Sequence, residues 1–111
     1  MTFLRSLRLA LPLLLLAPPL PAQQLAVPIV KDCVDDQAAC YAAATVMGLD
    51  PQGDGFLAVR RGPGTDHAMI DKLYNGDVVR VITRRGKWYG VEYGQGRKGW
   101  VYGKWLGNWA G

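Results

Sequence analysis

Short apolar runs separated by turn residues fill the second half of the chain. Leu57 and Val59 recur at a two-residue spacing, as do Val79 and Val81 with Arg80 between them. That period places each pair on one face of a β-strand and marks all four as core candidates. Punctuation falls at Gly62-Pro63-Gly64, Asn75-Gly76, Arg85-Gly86 and Gly94-Gln95-Gly96, a rhythm of roughly 8–12 residues that predicts an all-β sandwich or barrel. Further strands are predicted over residues 69–74, 77–83, 87–93 and 98–102. Asn75-Gly76 predicts a hairpin between the first two of these, because a type I′ turn needs positive φ at both central residues. Upstream, Asp50-Pro51-Gln52-Gly53-Asp54-Gly55 is turn chemistry.

The first 22 residues follow a different pattern. A basic start (Arg5, Arg8) leads into an apolar run from Leu9 to Ala17, then a Pro-rich breaker and the small residue Ala22 before Gln23. This is the outline of a secretory signal peptide. A membrane span needs roughly 20 apolar residues, and Pro12, Pro18, Pro19 and Pro21 interrupt this one. The expected organisation is a signal peptide at 1–22, a leader at 23–44 and a barrel at 45–109. The expected location is the periplasm or the exterior, with no stable membrane insertion after processing.

Export bears on Cys33 and Cys40, the two cysteines of the chain. In an oxidising compartment a disulfide is the natural state of such a pair. Seven residues of helix would separate the Cα atoms by about 10.5 Å, whereas a disulfide spans about 4.4–6.8 Å. A bridge within the chain therefore excludes a continuous helix over 33–40. Pairing between chains stays open, as does the structure of the leader.

Half of the chain is hydrophobic, but much of that share lies in the segment to be removed. Loss of Arg5 and Arg8 lowers the formal net charge from +4 to +2. The remaining charge is polarised. Residues 31–54 hold Asp32, Asp35, Asp36, Asp50 and Asp54 against Lys31, while residues 55–111 hold ten bases against Asp66, Asp71, Asp77 and Glu92. A barrel of this size has limited apolar surface to bury. Phe56, Tyr74, Trp88, Tyr89, Tyr93, Trp100, Tyr102, Trp105 and Trp109 offset that, since each aromatic can bury on the order of 150–250 Å².

Catalytic chemistry finds little support in the residue inventory. No serine follows the signal segment, which excludes serine acyl transfer. A Cys–His hydrolase would need a thiolate beside His67, yet both cysteines lie in the leader. The Asp50–Gly55 turn has oxygen side chains at positions one, three and five of a calcium loop and glycine at six, but position twelve is Arg61 rather than a bidentate glutamate. No enzyme activity, metal or cofactor is expected.

Four motifs in order carry a family resemblance. Gly55-Phe56-Leu57-Ala58-Val59-Arg60-Arg61-Gly62-Pro63-Gly64 resembles the opening of bacterial SH3-like (SH3b) domains, and Asn75-Gly76-Asp77-Val78-Val79-Arg80-Val81 resembles their second strand motif. Lys87-Trp88-Tyr89-Gly90-Val91 and Gly99-Trp100-Val101-Tyr102-Gly103-Lys104-Trp105-Leu106 are similar to their two closing motifs. The resemblance implies a small SH3-like β-barrel of five to six strands, used as a binding module and often directed at cell-wall peptidoglycan or its peptides.

Within that frame Trp88 and Trp100 are expected to close the barrel. Tyr89, Tyr93, Tyr102 and Trp105 are the surface candidates, because Tyr and Trp combine apolar area with a hydrogen-bonding tip. Arg61, Asp66 and His67 join them from the first long loop. Basic residues near the loops attract an anionic polymer, and export disfavours nucleic acid as that polymer. The expected partner is peptidoglycan or an envelope peptide. The alternative is a periplasmic protein whose peptide segment is bound, with the leader packing on the barrel or on that partner.

Overall fold

The computed structural model describes residues 25–30 and 42–110. The signal segment and Cys33 and Cys40 lie outside the described residues. Seven strands form one antiparallel sheet: β1 (Ala43–Val46), β2 (Leu57–Arg60), β3 (Met69–Leu73), β4 (Val78–Arg85), β5 (Trp88–Tyr93), β6 (Arg97–Tyr102) and β7 (Leu106–Ala110), with one turn of 3-10 helix at Gly103–Trp105 between the last two. The order across the sheet is β3-β2-β6-β5-β4-β1-β7. The architecture is all-β and SH3-like, with one strand more than the expected five or six. The extra strand is β1, which takes Ala43 and Ala44 out of the expected leader and pairs them with Arg80 and Val79 of β4.

Two of the predicted turns close hairpins. Gly86 and Lys87 link Arg85 to Trp88, which pair directly, and residues 94–96 link the paired Tyr93 and Arg97. Positive φ at Gly86, Gly94 and Gly96 fits these sharp reversals. The Asn75-Gly76 hairpin is corrected. β3 pairs with β2, while β4 pairs with β5 and β1. Only Gly76 of the two turn residues has positive φ, so the turn is not type I′. Asn75 serves another purpose: its side-chain amide accepts from the Leu49 N–H at 3.0 Å and donates to the Leu49 carbonyl at 2.9 Å. Gly76 N–H also donates to the Val46 carbonyl at 2.8 Å. The turn is closed by the Asp77 N–H, which donates to the Tyr74 carbonyl at 2.9 Å, and it anchors the segment after β1 instead of pairing β3 with β4.

The alternation read from the sequence holds in the core. Leu57, Val59, Val79 and Val81 are buried together with Ala44, Val46, Leu73, Val91, Tyr93, Val101 and Leu106. Gly99 belongs to the same face, since a Cβ there would fall 2.1 Å from Val59 Cγ1. Trp100 therefore points the other way by the two-residue period, yet it is fully buried.

Residues 25–30 explain that burial. This short strap lies across the outer face of β5 and β6. Ala26 and Val27 N–H groups donate to the Arg61 carbonyl at 2.8 and 3.2 Å, and the Trp100 indole donates to the Val27 carbonyl at 2.9 Å. Ile29, itself buried, sits over Gly90. A Cβ at Gly90 would lie 2.7 Å from Thr83 and 3.0 Å from Ile29, so the strap seats only where β5 lacks a side chain. Part of the leader thus packs on the barrel, and Trp100 is structural through a second small core. Among the described residues, no helix is long and apolar enough to cross a membrane.

Candidate functional site

Beyond the strap, the same outer face carries a groove. Trp100 pairs with Gly90 and with Arg60, and Tyr102 pairs with Trp88. By the two-residue period, Ala58, Arg60, Trp88 and Tyr102 all project outward on adjoining strands. The strap covers the Gly90–Trp100 pair and stops short of the Trp88–Tyr102 pair. The Trp88 and Tyr102 rings lie 5.4 Å apart at 53°. With Phe56, Trp105 and the loop residues Gly64, Thr65 and Asp66 they line a groove of about 570 Å³.

The loop over residues 61–68 is braced from below. Arg60 Nη1 donates to the His67 carbonyl at 2.9 Å and to the Thr65 carbonyl at 3.5 Å. The Arg61 N–H donates to the Ala68 carbonyl at 3.0 Å, and Gly64 and His67 N–H groups close turns inside the loop. The imidazole of His67 packs on Gly62, where a Cβ would fall 2.5 Å from the ring. Opposite, Trp105 is held by its carbonyl, which accepts from Met47 N–H at 2.9 Å, and its ring lies along Gly48. Lys72 sits 4.4 Å from the Phe56 ring centre and Lys104 5.0 Å from that of Trp105. The groove is a preformed aromatic trough with Asp66 and Arg60 in its lining and lysines beside two of its rings.

Of the residues singled out from the sequence, the structure brings Asp66, Tyr102 and Trp105 together here. Tyr89 lies behind Tyr102, in a separate pocket, its ring 5.7 Å from that of Trp109 and tilted 45° to it. Arg61 meets the strap through its backbone carbonyl, and His67 braces the loop. Tyr93 is corrected from a surface residue to a core one. The residue is 5% exposed, because Tyr93 shares the inward face with Val91. Missing from the expected set are Arg60, Phe56, Thr65 and Trp88. The signal for two of them was present: the period that put Leu57 and Val59 inward puts Arg60 outward, and the same period along residues 88–93 sets Trp88 on the face opposite Val91.

Tyr93 has a defined electrostatic setting. Its hydroxyl donates to Asp71 Oδ2 at 2.9 Å, and Arg97 Nη1 meets the same oxygen at 2.8 Å. Burial raises the Tyr93 pKa well above the ordinary tyrosine range, Asp71 raises it further through its hydrogen bond and charge, and Arg97 opposes with a smaller lowering effect. The folded protein thus retains this proton where the unfolded chain releases it. The resulting stabilisation is complete below about pH 10, the unfolded tyrosine value, and is lost as pH rises beyond it. Urea midpoints measured from pH 8 to 11 are expected to fall above pH 10, and Tyr93→Phe is expected to flatten that fall. An equal fall in the variant would contradict the assignment.

Residues 55–107 match a family profile described as "Bacterial SH3 domain". A protein of Listeria seeligeri named "Probable endopeptidase p60" is 41% identical over 54 residues, which are 48% of this chain and 10% of that protein. Its counterpart of the same name in Listeria welshimeri is 37% identical over 54 residues, with the same shares covered. The chain thus spans about a tenth of the length of these relatives.

Proposed function

Residues 55–107 belong to the bacterial SH3 domain family, and from that premise we propose that the chain is an exported, non-catalytic binding module that engages cell-wall peptidoglycan or its peptides. The observation that carries this reading is the open groove between Trp88, Tyr102 and Trp105 beside the strap. Exposed aromatic faces in a concave site stack on peptide planes and sugar rings, and the Asp66 rim accepts an amide or ammonium donor. The stretch shared with the two Listeria proteins is a tenth of each, and the endopeptidase activity in their name is not carried over to this chain. Trp105, Tyr102 and Asp66 are the proposed ligand contacts, with Arg60, Phe56 and Trp88 added to them. Tyr89 joins only through the neighbouring pocket, and Arg61 and His67 support the loop.

A second reading, a periplasmic module that binds a partner's peptide, is favoured by one observation. The barrel already holds a peptide segment, Leu25–Val30, on this same outer face through a carbonyl and an indole N–H, and the groove beside it suits a partner's peptide.

The test uses nitrogen-15-labelled protein, expressed with its own N-terminus and purified as processed, with soluble disaccharide-peptide fragments of peptidoglycan. The indole N–H signals of Trp88 and Trp105 are expected to shift on titration, and that of Trp100 to stay in place beneath the strap. No shift at Trp88 or Trp105 would overturn the reading.

A further inference from the structure

Behind Tyr102 lies a smaller pocket of about 200 Å³, lined by Arg84, Lys87, Tyr89, Tyr102, Gly103 and Lys104. Three cations come to it from three elements: Arg84 from β4, Lys87 from the β4–β5 turn and Lys104 from the 3-10 turn. Among the described residues, no carboxylate lines it. The convergence is built by the backbone. Gly103 N–H donates to the Lys87 carbonyl at 2.8 Å, which ties the two lysine-bearing segments together. A Cβ at Gly103 would fall 2.1 Å from the Tyr89 ring, so only glycine lets the 3-10 turn approach that ring. Arg84 is fixed by its Nε–H, which donates to the Gly86 carbonyl at 2.8 Å, and its guanidinium lies 5.5 Å from the Tyr89 ring centre.

Tyr102 is a wall of both this pocket and the aromatic groove. We propose that the basic pocket is a carboxylate subsite, which seats the free carboxylate of a peptide whose body lies in the groove across Tyr102. The inference rests on the peptide-binding reading of the groove and adds the ligand's charge and polarity: an acidic or free C-terminal end toward Lys87 and Lys104. Cations held near a ring in a shallow pocket keep a positive field where a carboxylate gains charge-assisted hydrogen bonds.

The probes are tetra-alanine with a free carboxylate and its C-terminal amide, titrated by calorimetry into the full chain purified as processed. The acid is expected to bind about tenfold more tightly than the amide, the scale of two or three solvent-screened ion pairs. Lys87→Gln is expected to lower that ratio by weakening the acid alone. Equal binding of acid and amide to the natural chain, or equal weakening of both in the variant, overturns the subsite and leaves the groove standing. Failure of both peptides to bind overturns the subsite and the groove's peptide preference together.

Discussion

Trp100→Ala is expected to lower the melting temperature by more than about 12 °C, from a loss of about 3–5 kcal/mol at about 4–8 °C per kcal/mol for a domain of this size. Two effects combine. The indole is fully buried on the outer face of β6, so its removal leaves a cavity that the β-ladder on either side cannot collapse to fill. It also removes the donor to the Val27 carbonyl, and the strap loses its contact with the sheet at that point. A protein of about one hundred residues has roughly 5–15 kcal/mol of stability, so this single change takes a large share of it. Trp100→Phe separates the two effects. Phenylalanine keeps most of the apolar area and deletes the hydrogen bond, for an expected loss of about 1–2 kcal/mol and earlier proteolysis within residues 25–30. Thermal unfolding and limited proteolysis read both variants. A melting temperature within 3–4 °C of the natural chain for Trp100→Ala, less than about 1 kcal/mol on the same scale, would contradict the strap as part of the folded unit.

The second large effect concerns binding. Trp88→Ala with Trp105→Ala is expected to weaken association with peptidoglycan sacculi by at least about tenfold, since aromatic anchors in a concave site carry about 2 kcal/mol or more each when truncated. Both rings are only partly buried and line the groove, and Trp105 also packs on the edge of the core, so the melting temperature should fall, but less than for the fully buried Trp100→Ala. The contrast among tryptophans is the informative part: one supports the fold through the strap, and two form the open trough beside it. Loss of binding together with loss of the fold would remove the distinction.

Much of the barrel was legible in the chain. The two-residue alternation at Leu57, Val59, Val79 and Val81 identified core positions because a half-buried strand leaves that trace directly. The glycine-bearing turns at 86 and 94–96 were legible for the same local reason. The Asn75 turn was not, because its side chain bonds to Leu49, a partner distant in sequence. The strap was illegible in the same way: residues 25–30 form a short apolar stretch without periodicity, and their attachment uses backbone groups and one indole. For the site, residue type pointed to Tyr102, Trp105 and Asp66, while face was needed to add Trp88 and Arg60 and to take Tyr93 inward. Applied to Trp88-Tyr89-Gly90-Val91-Glu92-Tyr93, the same alternation that located the core would have done so.

Co-sedimentation with purified sacculi, run on the natural chain and on the Trp88→Ala, Trp105→Ala variant across a salt series, tests the central claim most directly. Salt screens charge attraction at these exposed lysines and arginines and leaves aromatic contacts largely intact. The natural chain is expected to stay bound at high salt and the folded variant to be released. Binding of the natural chain that vanishes at modest salt, or a folded variant that sediments as the natural chain does, would contradict the groove as the site of recognition.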